Sequence, residues 1–254
     1  MLIHPFPDLG KILFLDVETV AGARTYDDLD ELMQECWRIK CKSVLRKYDE
    51  PITEAEAQQA YSDRAGIFSE FGKIVCISVG IIRRKPEDKK LSVTLKSFAG
   101  DNEAELLKDF SLIVSRHFKN ESDYYFCGHN IKEFDIPYIC RRMVVNRVPL
   151  PSPLRIAGKK PWELRYMLDT LELWKFGDRK NYTSLKLLAA TLGFPSPKDD
   201  IDGSNVNGAY WEEEDLDRIS RYCEKDVLAT IQLYLRLNLL PLIEETAAVS
   251  LTFP

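Results

Sequence analysis

Residues 11–20 read KILFLDVETV, and the fold turns on this stretch. Ile12, Leu13, Phe14 and Leu15 are apolar at both alternating positions, as a strand inside a sheet covered on two faces requires. The run then meets Asp16 and Glu18, two residues apart and so on one side of the strand if it continues. Like charges converging at the end of a buried strand repel each other, and a divalent cation would offset them. The Asp-x-Glu spacing is weak alone, because Asp101 and Glu103 repeat it at an expected helix start, where acids favour the helix dipole without any chemistry.

Working outward, KIVCISVGII (73–82) and LSVTLKSF (91–98) are two further β-favouring runs, joined by the charged RRKPEDKK segment with Pro86. Three strands connected this way predict an antiparallel meander. A helix follows, with Leu106, Leu107, Phe110, Ile113 and Val114 at helical spacing, then a short strand, YYFCG, at 124–128. Another helix starts near Phe134 or Asp135 and runs to about Arg147. A Pro-rich loop, strand-like pieces near 154 and 166, and helices at 184–193 and 215–238 complete the order. Alternating strands and helices demand crossover connections, so the expectation is an α/β domain with a mixed sheet flanked by helices. Residues 21–66, polar and helix-prone with Met33, Trp37, Val44 and Leu45 among charges, read as a helical insertion after the first strand, with Trp37 packed inside it.

The chain of 254 residues is 45% hydrophobic, enough for a sizeable core, and its formal net charge of -5 excludes a nucleic-acid binder held by bulk charge. Any nucleic-acid site must be a local patch. The opening MLIHPFPDLG lacks the pattern of an export leader and no run approaches membrane-spanning length, so the expectation is a cytoplasmic protein. Six irregularly spaced cysteines without a C-x-x-C pair read as reduced core residues.

Two more segments break their own rules. In the last helix, Ile219, Cys223, Val227 and Ile231 mark the apolar face, and Tyr222 and Asp226 lie one turn apart on its edge, where an unpaired carboxylate is costly. The spacing recurs at Tyr26 and Asp30, so position in the fold has to decide. In GHNIKEFDIPYI (128–139) a strand ends at Gly128, a polar loop carries Asn130, and Asp135 precedes Pro137 at a helix start, where it also suits an N-cap.

Together, FLDVET (14–19), GHNIKEFDIPYI and YCEKD (222–226) resemble, in order and context, the three exonuclease motifs of the DEDD superfamily, whose fold is ribonuclease H-like. The N-x-x-x-F-D-x-P-Y core is similar to the proofreading exonuclease domain of family B DNA polymerases, and a tyrosine four residues before the last Asp resembles the DEDDy branch. SEFGKIVCIS (69–78) and DDIDGSNV (199–206) resemble a stand-alone bacterial family of predicted exonucleases related to that domain. The resemblance implies one ribonuclease H-like domain over 1–254 with a mixed five-stranded sheet.

It also implies a site. Asp16, Glu18, Asp135 and Asp226 become the ligands of two Mg²⁺ or Mn²⁺ ions, and with Tyr222 the catalytic set. Two such ions about 3.5–4 Å apart suit in-line displacement at phosphorus, with Asp16 bridging them and Tyr222 orienting the attacking water. Arg221 stands where the histidine branch places its base, and His129 stands where family B polymerases carry Tyr. The implied activity is 3′–5′ exonucleolytic hydrolysis of single-stranded DNA to 5′-mononucleotides, with Glu18 and Thr19 at the 3′ hydroxyl and Asn130 and Phe134 along the strand. The implied partners are a nucleic-acid 3′ end and, beyond it, replication or repair proteins. Lys132, Arg141, Arg142, Lys159, Lys160, Arg179 and Lys180 would line a phosphate track, away from the acidic run at 199–217. The competing expectations are an exoribonuclease on short RNA and a catalytically idle nucleic-acid- or polymerase-binding module.

Overall fold

A computed structural model describes residues 7–84, 90–118, 124–178, 182–196, 201, 203 and 205–253. The opening stretch is strand β1 (Ile12–Ala21), buried along nearly its whole length. It pairs antiparallel with β2 (Gly72–Arg84), which pairs antiparallel with β3 (Leu91–Ala99), giving the expected meander. On its other side β1 pairs in parallel with β4 (Tyr125–Gly128), and β4 in parallel with β5 (Met167–Asp169).

The sheet has six strands rather than five, in the order β5-β4-β1-β2-β3-β6. The sixth, β6 (Ala248–Ser250), adds in parallel to β3 and is too short to show alternation in the sequence. Leu154, expected in a strand, lies in a 3₁₀ turn, Ser152–Leu154, because Pro151 and Pro153 cannot donate to a ladder.

Helices cover both faces. Leu13, Leu15 and Val17 point toward α3 (Glu103–His117) and α4 (Asp135–Val145), in one core with Phe110, Phe126 and Ile139. Ile12 and Phe14, on the opposite side of β1, pack on α8 (Leu216–Leu237) through Val227, Ile231 and Tyr234. Three short helices, α5 (Thr170–Lys175), α6 (Leu185–Leu192) and α7 (Val206–Trp211), pack around α8. No helix among the described residues is long and apolar enough to cross a membrane.

The insertion holds α1 (Glu31–Val44) and α2 (Glu54–Arg64), capped by Asp30 and Thr53. It has its own core, in which Trp37 is fully buried, donates Nε1–H to the Ala57 carbonyl at 2.9 Å, and meets the Tyr61 ring at 5.3 Å and Phe71 at 4.9 Å. Trp37 thus packs within its own helices, as expected. Trp37→Phe leaves a small void and removes the indole's hydrogen bond to the Ala57 carbonyl, which stays within the ladder of α2, an expected loss of about 1–3 kcal/mol. Calorimetry should place the variant's Tm roughly 2–12 °C lower, given about 2–4 °C per kcal/mol at this chain length.

Candidate active site

Strand β1 outruns its parallel neighbour. The β1–β4 pairing ends at Phe14 opposite Cys127, whereas β1 continues beside β2 to Ala21. Such crevices outside the carboxyl ends of parallel strands are where α/β sheets bind ligands. Asp16 and Glu18 fall in this stretch, opposite Ser78 and Cys76, on the α8 side of the sheet. The register slips just beyond them: Thr19 pairs with Ile74, leaving Val75 as the extra residue of a bulge in β2.

The loop from β4 brings in the next carboxylate. Asn130 takes a left-handed conformation, φ 67°, which Asn tolerates well. The buried Asp169 at the end of β5 then accepts from the backbone N–H of Asn130 at 3.0 Å and of Lys132 at 3.2 Å, while its Oδ1 also accepts from Leu171 N–H at 2.9 Å. The His129 ring bridges Thr170 Oγ1 and the Thr183 carbonyl, both at 3.0 Å. Thus anchored, the loop delivers Asp135 as the first residue of α4; Phe134, not Asp135, holds the N-cap position. Asp135 is 3% exposed, and its carboxylate accepts the Val17 N–H, linking it to β1.

Helix α8 completes the arrangement with Tyr222, buried, and Asp226, half-buried, hydrogen-bonded to each other. Cys223, between them in sequence, directs its thiol at Asp16, 3.6 Å from Oδ2 and 3.4 Å from the carbonyl. Ligand atoms of Asp16, Glu18 and Cys223 all lie within 4.8 Å of one another.

Electrostatics describe the same cluster. Burial holds the Asp16 carboxyl well above the usual carboxylate range, and Asp226, Asp135 and Glu18 push it further; the Cys223 thiol opposes them. Burial likewise lifts Asp135 to about 7, with Asp169 and Asp226 adding to it. The Tyr222 phenol is raised by burial and by the Asp226 and Glu18 carboxylates, so it stays protonated and able to donate. A part-buried set of hard oxygen donors in mutual repulsion fits a divalent cation of the magnesium or manganese type.

Of the expected strand contacts, Thr19 donates its hydroxyl to Tyr138, whose own hydroxyl donates to the Gly66 carbonyl at 2.8 Å. Phe134 is half-buried against the core, 5.4 Å from the Tyr138 ring, and Asn130 is half-buried in the anchored loop. The basic track is only partly available. Lys132 is paired with Glu172 at 2.6 Å and Arg142 with the buried Glu103 at 2.6 Å, Lys159 lies over the Tyr166 ring at 5.5 Å, and Arg179 and Lys180 fall outside the described residues.

Three further residues belong to this region. Cys223 reads in sequence as one more apolar-face residue, and Asp169 as an ordinary helix cap. Tyr182 carries no periodic signal. It is exposed, its ring edge-on to His129 at 6.1 Å, and its phenol is raised by burial and then by Asp135, Asp16, Asp169 and Asp226.

Residues 67–246, well over half of the chain, match the family described as a predicted 3′-5′ exonuclease related to the exonuclease domain of PolB. The chain belongs to this family. The match takes in Asp135, Tyr222 and Asp226 and begins after Asp16 and Glu18, which the fold brings beside them. A comparison with curated proteins gives no match. Among solved structures, the family B DNA polymerase from the hyperthermophilic archaeon Pyrobaculum calidifontis is similar over 93% of this chain, with a TM-score of 0.55 and 16% identity. This chain spans 25% of that polymerase. The shared architecture is the ribonuclease H-like fold of a polymerase exonuclease domain.

Proposed function

We propose that this protein is a metal-dependent 3′–5′ exonuclease that removes 5′-mononucleotides from single-stranded DNA. The observation that carries the reading is the meeting of four carboxylates from three separate chain segments, with Asp226, Asp135 and Glu18 all acting on Asp16. Asp16, Glu18, Asp135 and Asp226 would hold two Mg²⁺ or Mn²⁺ ions, which when bound supply Lewis acidity for activating water and offsetting charge at phosphorus. Tyr222, held to Asp226 and kept protonated, orients the attacking water by hydrogen bonding and does not serve as its base. Glu18 and the backbone at Thr19, which flank the register slip between β1 and β2, would receive the terminal 3′ hydroxyl. Asn130 and Phe134, half-buried on the segment that leads into α4, would contact the last nucleotides, Phe134 by stacking.

The test is a time course on 5′-labelled single-stranded DNA, beside a matched RNA, with Mg²⁺ or Mn²⁺. A ladder shortening by one nucleotide from the 3′ end of the DNA is expected. Faster loss of the RNA would change the substrate class. Binding without degradation of either strand would make the protein an idle nucleic-acid-binding module.

A further inference from the structure

Helix α8 must present Tyr222 and Asp226 to β1 at one angle of roll about its own axis. Successive helix residues are turned by about 100°, so Tyr222 and Asp226 lie about 40° apart on one flank and Glu224 lies about 200° round from Tyr222. Cys223 and Val227, between these flanks, face the sheet and are fully buried. Glu224 is therefore an outrigger, gripping the β3–β6 side while the tyrosine and aspartate face the crevice.

The grip is polar and buried. Glu224 is 6% exposed, and its Oε1 accepts from Ser97 Oγ of β3 at 2.9 Å and from Ser250 Oγ of β6 at 3.1 Å. Ser97 Oγ also shares a 2.8 Å hydrogen bond with Ser78 Oγ, which lies 3.6 Å from Cys76 Sγ. The Cys76 thiol is hydrogen-bonded to Cys223, and Cys223 reaches Asp16. One buried chain of polar groups thus runs from β6 through Glu224 and across β3 and β2 to Asp16. Beyond Glu224, Arg221 stacks on the Phe253 ring at 3.9 Å, and Thr252 Oγ1 accepts the Ser97 N–H at 2.7 Å, so the β6 segment is fastened to the same flank.

Resting on the exonuclease reading, we propose that Glu224 is a positioning residue that sets the roll of α8, and through it the placement of Tyr222 and Asp226, with β6 as its clamp. Arg221 on Phe253 and, farther along α8, Gln232 on the Ile243 backbone also hold the helix, but Glu224 is the buried polar contact level with Tyr222 and Asp226. A roll of about 20° on a cylinder of roughly 5–6 Å radius moves a side-chain tip by about 2 Å. Displacements of about 1 Å suffice to lower rates about 10²-fold.

The experiment compares Glu224→Leu, Glu224→Gln and a Ser97→Ala/Ser250→Ala double variant with wild type. It measures kcat and KM on a 5′-labelled single strand with Mn²⁺, and Mn²⁺ affinity by titration calorimetry. Glu224→Leu is expected to lower kcat about 10–100-fold and Mn²⁺ affinity about 10-fold, with KM nearly unchanged, as when the partners that orient ligands are removed. Glu224→Gln keeps the one oxygen that accepts both hydroxyls and should restore both quantities to within about threefold of wild type. Wild-type values in Glu224→Leu, or a Gln variant no better than Leu, overturn the proposal. If Glu224→Leu does not fold, the double serine variant decides, supporting the role by losing Mn²⁺ affinity and refuting it by keeping wild-type values. If wild type degrades no strand, the exonuclease reading fails, and the Mn²⁺ affinities alone decide whether Glu224 positions the carboxylates.

Discussion

Asp16→Asn is expected to abolish degradation of single strands while making the metal-free protein more stable. The two effects share one cause. Asp16 sits among Asp226, Asp135 and Glu18, and its charge is disfavoured by burial before any of them is counted. An amide of the same shape removes the charge, and its carbonyl can still accept the Cys223 thiol that lies 3.6 Å from Oδ2. Relief of such functional strain is worth about 0.5–2 kcal/mol, and calorimetry should find the variant's Tm raised by roughly 1–8 °C. Cleavage should fall at least on the order of 10³-fold, because a neutral oxygen is a poor ligand at the centre of the carboxylates that would hold the metal. Loss of a single oriented donor already lowers rates about 10²–10³-fold. A variant that is more active, or less stable with wild-type activity, would remove Asp16 from the centre of the site.

Much of the architecture was legible in the sequence, for a physical reason. Only a central strand is apolar on both faces, so Ile12 to Leu15 identified β1, and the meander and the insertion followed from it. The strand β6 was not legible because three residues cannot display a period, and Leu154 misled because the flanking prolines outweigh its β-like neighbours. The acidic residues were legible as conflicts, each carboxylate standing where the local pattern argued against it. Their convergence was not. Asp135 suits a helix start whether or not a metal lies nearby, and only the end of β1–β4 pairing at Phe14 frees the Val17 N–H to meet it. Cys223 escaped notice because sulfur on an apolar stripe looks like packing until the residue opposite proves to be a carboxylate. Glu224, in the middle of YCEKD, reads as solvated charge, since neither Ser97 nor Ser250 is near it in sequence.

Because Asp16 and Asp135 are held above the usual carboxylate range, the stability of the metal-free protein should fall with rising pH, and a divalent cation should reverse the fall. Asp135 titrates at about 7 in the folded chain against an ordinary 3.8, so between these values the folded state holds the extra proton. Stability then declines as pH rises, and the contribution is fully present below about pH 4 and lost once pH passes about 7. A shift of this size corresponds to on the order of 4 kcal/mol, shared among carboxylates that titrate as a set. Acids with a basic partner, such as the half-buried Glu56, held down to about 2 by Lys47 and Thr53, act in the opposite sense, so the informative quantity is wild type minus Asp135→Asn. That difference in Tm should shrink toward low pH and widen toward pH 8, with the variant the more stable. Cations compete with protons for the same oxygens, so Mn²⁺ should do little at pH 5 and much at pH 8. At about 100 times its dissociation constant a ligand adds about 2.7 kcal/mol, or roughly 5–10 °C at this chain length. Thermal scans across pH, with and without Mn²⁺, read both trends. A wild-type Tm indifferent to Mn²⁺ at pH 8 would show that these oxygens gather for some purpose other than holding metal.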